Sequence, residues 1–156
     1  MEGLLPLLHS GPQTFPMSFS GTFDYTLDAK NRLTVPAKMR SSLTDSVVLS
    51  RGTETCVSIW PKRNFEAFAA SALDGVAALD PRRDVIKRFF FSNSFETELD
   101  SAGRVMVPPA LLTHGELGKE VVVNGMDDRI EVWGRERWAT YNAGLDMSAV
   151  FLAPAP

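Results

Sequence analysis

Residues 19–36 read FSGTFDYTLDAKNRLTVP, and residues 91–108 read FSNSFETELDSAGRVMVP. The two stretches align without a gap at an offset of 72 residues, Phe91 against Phe19. Eight of the eighteen positions are identical: Phe19/Phe91, Ser20/Ser92, Phe23/Phe95, Leu27/Leu99, Asp28/Asp100, Arg32/Arg104, Val35/Val107 and Pro36/Pro108. Self-similarity at a fixed spacing marks a duplicated structural unit. The chain of 156 residues is therefore expected to be two copies of one small fold. A unit of about 70 residues sits near the size at which a lone core is marginal, so the copies should pack together or oligomerise.

Within the repeat the apolar residues alternate. Phe19, Gly21, Phe23, Tyr25 and Leu27 fall on one face, with Ser20, Thr22, Asp24, Thr26 and Asp28 on the other. That period of two predicts a strand with one buried side. Copy two repeats it with Phe91, Phe95 and Leu99 inward. A tight turn follows, Asp-Ala-Lys-Asn and then Asp-Ser-Ala-Gly, with Asn31 and Gly103 in the same place. Asn and Gly best tolerate positive φ, as a short hairpin loop requires. Asp28 and Asp100 can accept backbone N–H groups of their turns. A second short strand runs outward at Arg32 and Thr34 and inward at Leu33 and Val35, and Pro36 stands where a helix can start.

Each copy continues into a further β pair, Val47–Leu49 with Val57–Trp60 and Val121–Val123 with Ile130–Trp133, and then a helix. Gly52 is matched with Gly125, implying one residue gained by copy two between Pro108 and Val121. The helices carry apolar stripes of Phe65, Phe68, Ala69, Ala72 and Leu73, and of Trp138, Tyr141 and Leu145. Between the copies Asp80-Pro81 reads as a cap and first turn, opening a helix with Val85, Ile86, Phe89 and Phe90 on one side. The expected divisions are a flexible arm over 1–18, a first unit over 19–73, a helical connection over 74–90, a second unit over 91–145 and an irregular tail over 146–156.

The strand, the D-x-x-x-R turn, the short strand ending in V-P and the second β pair resemble the AbrB/SpoVT swapped-hairpin domain. Two copies, LDAKNRLTVPAKMR in the first and LDSAGRVMVP in the second, resemble the MraZ family over about residues 17–145. Such proteins begin near the position of Met17, so residues 1–16 read as an extension or a misassigned start. The resemblance implies an α+β, β-rich fold of tandem pseudo-twofold swapped-hairpin β-barrel units with flanking helices. It also implies a bacterial transcriptional regulator of the division and cell-wall gene cluster, cytoplasmic and nucleoid-associated, assembled as a ring-shaped homo-oligomer. A ring presenting several first-copy turns in series would suit short direct repeats in double-stranded DNA, spaced by roughly 10 bp. Repression of its own promoter is the expected role.

The copies differ in charge where they match in shape. Over residues 24–40, Lys30, Arg32, Lys38 and Arg40 outweigh Asp24 and Asp28 for a net +2, whereas over 96–112 Arg104 faces Glu96, Glu98 and Asp100 for a net −2. A polyanion would choose the first copy, leaving the second mainly structural. Arg32 and Lys30 are candidates for base edges, since guanine O6 and N7 suit Arg or Lys. Lys38 and Arg40 are candidates for phosphates that set register. Arg104 is the second-copy counterpart. The alternative is structural: Asp28 with Arg32, and Asp100 with Arg104, as ion pairs that fix the turns. Arg82, Arg83, Lys87 and Arg88 read as a solvated helix face, with auxiliary DNA contact second.

Other classes find little support. The chain has two His, His9 and His114, and one Cys, Cys56, which exclude an intramolecular disulfide and leave a His-based metal or acid–base site without partners. Cys56 reads as a small buried residue, and Asp127-Asp128 as a polar turn lacking the spacing of a calcium loop. No phosphate-cradling Gly-rich loop is present, so no enzyme, cofactor or small-molecule ligand is expected. LLPLL near the start lacks a basic flank, is interrupted by Pro6 and does not read as a secretory signal, and no apolar run approaches a membrane span. The competing class is a protein-interaction module, either an antitoxin-type domain or a structural ring.

Overall fold

The structure is a computed structural model that describes residues 18–152 and 154. Of the arm expected over residues 1–18, only Ser18 lies among the described residues. The strands are β1 Thr22–Thr26, β2 Arg32–Thr34, β3 Val47–Arg51, β4 Val57–Pro61, β5 Phe95–Thr97, β6 Arg104–Met106, β7 Glu120–Gly125 and β8 Ile130–Gly134. The helices are α1 Ala37–Arg40, α2 Lys62–Leu73, α3 Pro81–Phe91, α4 Pro109–Gly115, α5 Arg135–Ala143 and α6 Met147–Leu152, with a 3-10 turn at Ser41–Leu43. The fold is α+β and rich in strand.

The duplication is plain, but the two copies exchange strands. The larger sheet has the order β1-β7-β8-β4-β3-β5, with every pairing antiparallel. First-copy β1 pairs with second-copy β7, and second-copy β5 pairs with first-copy β3. The short strands β2 and β6 leave this sheet and pair with each other, Leu33 opposite Val105. The turns at Asp28 and Asp100 therefore do not close hairpins on their own copies. The alternation expected of β1 holds, with Thr22, Asp24 and Thr26 exposed and Phe23 and Tyr25 half-buried.

One core lies between the β2–β6 ribbon and the inner face of the sheet. Leu33, Val35, Val105 and Val107 meet Val47, Leu49, Val57, Ile59, Val121, Val123, Ile130 and Val132 there, with Leu43 and Leu111 closing the sides. A second core lies on the other face of the sheet, where Val48 and Trp60 pack under Phe65 of α2 and Phe90 of α3. Each fully buried aliphatic or aromatic side chain contributes about 1.5–3 kcal/mol. Leu33 and Val105 thus anchor the ribbon from beneath.

The aromatic pairs repeat with the chain. Trp60 and Phe68 have centroids 4.8 Å apart at 42°, and Trp133 and Tyr141 repeat both values. Phe90 of α3 packs edge-on against Phe68 at 5.3 Å.

Several expectations are corrected. Phe91 does not face inward from a strand but ends α3 half-exposed, because β5 starts only at Phe95. Val85 is 61% exposed, since α3 turns Ile86, Phe89 and Phe90 toward the second core. Gly125 occupies the place of Arg51, not of Gly52: Arg51 pairs with Val57 and Gly125 with Ile130. The tail is not irregular from 146, because Asp146 accepts a hydrogen bond from the Ala149 N–H at 3.2 Å and opens α6. Pro36 precedes α1 as its cap residue, and Pro109 is the helix-opening proline of copy two. The connection does form α3, with the Asp80 side chain accepting from the Arg82 N–H at 2.9 Å.

Candidate nucleic-acid interface

The two D-x-x-x-R turns are built alike. Asp28 Oδ1 accepts from the backbone N–H groups of Lys30 and Arg32, each at 2.9 Å, while Oδ2 accepts from Arg32 Nε at 2.7 Å. Asp100 Oδ1 accepts from Ala102 and Arg104 N–H at 2.9 Å, and Oδ2 from Arg104 Nε at 2.9 Å. Asn31 has φ 57° and Gly103 φ 76°, the left-handed conformation that lets each turn close. Both carboxyls are held below the ordinary carboxylate value, chiefly by the backbone N–H of Arg32 or Arg104 and then by its guanidinium.

The ion-pair reading and the DNA reading of the arginines are compatible. The carboxylate engages each guanidinium from the side, through Nε. Among the described residues, neither Nη group of Arg32 or Arg104 donates to a protein acceptor. Their side chains are 29% and 35% exposed. Each turn therefore orients a guanidinium and leaves its two-pronged end open, the geometry a bidentate acceptor requires.

The ribbon brings these ends together. Arg32 lies opposite Met106 and Thr34 opposite Arg104. Strand side chains alternate, so with Leu33 and Val105 buried these four share the outer face. Arg32 and Arg104 are diagonal neighbours across the strand pair, a relationship that places residues about 7–8 Å apart. The strands are tied beyond their ends as well: Val35 N–H donates to the Gly103 carbonyl and Val107 N–H to the Asn31 carbonyl, both at 2.9 Å.

This arrangement divides the basic set that is contiguous in sequence. Lys30 is exposed on the first turn. Lys38 sits with Nζ 4.9 Å from the centre of the Phe23 ring. Arg40 belongs to the other turn: its Nε donates to the Val35 carbonyl at 2.8 Å, and its Cδ and Cζ lie 2.7 Å from where a Cβ on Gly103 would stand. The crossing of β2 and β6 carries α1 over the second-copy turn. Each turn thus holds two cations and one carboxylate, Lys30 and Arg32 with Asp28, or Arg40 and Arg104 with Asp100. The contrast in charge between the copies, computed along the chain, is levelled in space.

The helix α3 lies elsewhere. It packs on the second core, across the sheet from the ribbon. Arg83 donates to the Leu73 and Val76 carbonyls at 3.3 and 2.9 Å, fastening the end of α2, and Arg82 pairs with Asp80. Lys87 and Arg88 are exposed on α3, and Arg88 stands 4.0 Å from Asp84 one turn earlier.

Thr34 and Met106 are the ribbon residues that sequence reasoning missed. Their outward phase was legible, but their place beside the partner copy's arginine was not. Cys56 is fully buried and burial pushes its thiol pKa up. His114 contacts the Gly52 and Glu54 carbonyls through Nε2 at 3.0 and 3.2 Å. Among the described residues no group of three or more His, Cys, Asp or Glu could hold a metal, and no helix is long and apolar enough to cross a membrane.

Comparison with known proteins agrees with the duplicated architecture. A family model described as "MraZ protein, putative antitoxin-like" matches twice, over residues 18–84 and 90–151. A protein of Clostridium acetobutylicum named transcriptional regulator MraZ is 34% identical over 85% of this chain and 93% of its own. Relatives of the same name from Desulforamulus reducens and Lactiplantibacillus plantarum are 35% and 38% identical, over 86% and 79% of this chain and 94% and 86% of theirs. With both halves matched in register with the repeat, the chain belongs to the MraZ family.

Proposed function

We propose that this chain is a DNA-binding transcriptional regulator that reads duplex DNA with the outer face of the β2–β6 ribbon. The observation that carries this reading is the pair of arginines, Arg32 and Arg104, on one face of a two-stranded antiparallel ribbon, each held at Nε and open at Nη. The major groove admits such a ribbon, and Arg paired to guanine O6 and N7 is the commonest specific contact there. The turns match in charge but not in freedom: Lys30 is exposed, whereas Arg40 is half-buried and tied to the Val35 carbonyl, so the first copy is the stronger anchor, with Arg104 as its companion. Lys38 and Arg40 act at the margins of the same face as phosphate contacts. The names of the relatives, which are regulators and not enzymes, point the same way.

The finer role is repression of the division and cell-wall gene cluster, its own promoter included, by a nucleoid-associated protein of the cytoplasm. One ribbon offers few contacts, so binding at short direct repeats requires a homo-oligomer, arranged as a ring that sets ribbons in series. The apolar face of α6 supports self-association, with Phe151 79% and Leu152 83% exposed. The same helix favours a second reading, a foreign protein partner of the antitoxin type.

Fluorescence anisotropy against the DNA upstream of the protein's own gene tests the proposal, beside a scrambled duplex of equal length. Tight binding to the native duplex, abolished by Arg32→Ala and weakened by Arg104→Ala, is the expected result. Equal weak binding to both duplexes would move the function to protein partners. A stable monomer by mass measurement would remove the ring.

A further inference from the structure

Met106 is 59% exposed at the centre of the ribbon's outer face, where folding gives it no role. Its first-copy equivalent, at an offset of 72, is Thr34. Each stands directly opposite an arginine of the other copy, Met106 facing Arg32 and Thr34 facing Arg104. The pairs 32/106 and 34/104 flank the central pair Leu33/Val105, and the outer bonds at Val35–Gly103 and Asn31–Val107 fix the ladder's phase. Alternation in an antiparallel ladder then makes 32/106 and 34/104 the non-hydrogen-bonded pairs, whose side chains lie closer together. A flexible thioether and a β-methyl are thus each held beside an open guanidinium.

Taking the ribbon as the DNA-reading face, we propose that Met106 and Thr34 are specificity-determining residues that contact thymine 5-methyl groups next to the bases read by Arg32 and Arg104. The major-groove edge of thymine carries the one methyl among the four bases, and apolar side chains, the Thr methyl included, are its partners. Methionine suits the role because its unbranched, polarizable chain adapts to an apolar surface. The two pairs are not equivalent: Met106 reaches further than Thr34 and carries no hydroxyl. A ribbon with one of each reads its two halves differently, so the site it prefers is asymmetric although the backbone is pseudo-twofold.

The test starts from a duplex selected by the wild-type protein from a randomised library, in which each thymine is then replaced singly by uracil. That change removes the 5-methyl and nothing else. At one thymine the wild type should lose about fourfold in affinity, the size expected for one buried methyl-sized group. Met106→Ala should be indifferent to that replacement, while Met106→Leu, which keeps an apolar contact, should retain the loss. A second thymine should behave in the same way toward Thr34→Ser, which deletes the methyl and keeps the hydroxyl. Tight binding with no thymine sensitive to uracil, or a sensitivity that survives both Met106→Ala and Thr34→Ser, overturns this inference while leaving the DNA-reading ribbon standing. Failure of the library to yield any preferred duplex overturns the ribbon as a sequence reader and the methyl contacts with it.

Discussion

The Arg40 side chain of the first copy lies against Gly103 of the second, filling the space a β-carbon would need. The position is doubly restricted, because Gly103 also holds φ at 76°. Gly103→Ala should cost about 1–2 kcal/mol for the left-handed backbone alone, and more from the collision with Arg40. Asn31→Ala meets the backbone cost without that collision and should be milder. Urea denaturation of the two variants checks the order. In an Arg40→Ala background the Gly103→Ala penalty should shrink, since the contact is shared by the two residues.

How far the sequence could be read is clearest at these turns. Asp28, Arg32, Asp100 and Arg104 were legible because the turn is local: the carboxylate, the backbone donors and the guanidinium all lie within five residues. Alternation likewise told which face of β1 and β2 is buried. It could not tell which strand each would pair with, because a period of two specifies a face and not a partner. The exchange of β1 onto β7 and β5 onto β3 was implied only by resemblance. Arg40 was misplaced for the same reason, its charge being added to the turn nearest in sequence. In α6 the missed signal was Asp146, a helix-capping residue before a short apolar run.

The carboxyls of Asp28 and Asp100 give the fold an acid limit. Both are lowered in the folded protein, so the turns contribute stability that is complete above the ordinary carboxylate value of about 3.9 and is lost as pH falls through the lower folded value. Denaturation midpoints measured between pH 7 and pH 2 should therefore be steady at first and fall below about pH 4. Asp100→Asn should lower the midpoint at pH 7, where the ionised carboxylate is lost, and make the acid fall shallower. An identical acid profile for the variant would show that the turn carboxylates do not set it.

Cys56 offers a clean report on global unfolding. Its side chain is fully buried, packed under Gly52, and its thiol pKa is pushed up by burial and then by Glu131. A thiolate is the reactive form, so the native thiol should be inert at neutral pH. Labelling by an aromatic disulfide reagent should be negligible in the folded protein and complete in urea, with a midpoint matching loss of tryptophan fluorescence. Rapid labelling without denaturant would mean that the turn at residues 52–56 opens on its own.

Lys30 and Arg32 share a turn but should fail in different ways when removed. Lys30 was expected at base edges beside Arg32, but it is exposed and among the described residues its side chain has no hydrogen-bond or ion-pair partner to aim it, which suits a mobile phosphate contact instead. Arg32 is held by Asp28 and aimed outward from the ribbon. Lys30→Ala should weaken binding to specific and scrambled duplexes by similar factors and reduce the slope of log K against log salt by about 0.9, the value for one phosphate on duplex DNA. Arg32→Ala should instead erase the difference between the duplexes, at about 1–3 kcal/mol for a lost bidentate base contact. Anisotropy titrations at four salt concentrations separate the two, because only a phosphate contact changes the slope without changing the specificity ratio. If Arg32→Ala lowered the slope by one and left the ratio intact, Arg32 would be a phosphate anchor, and base reading would have to come from elsewhere on the ribbon.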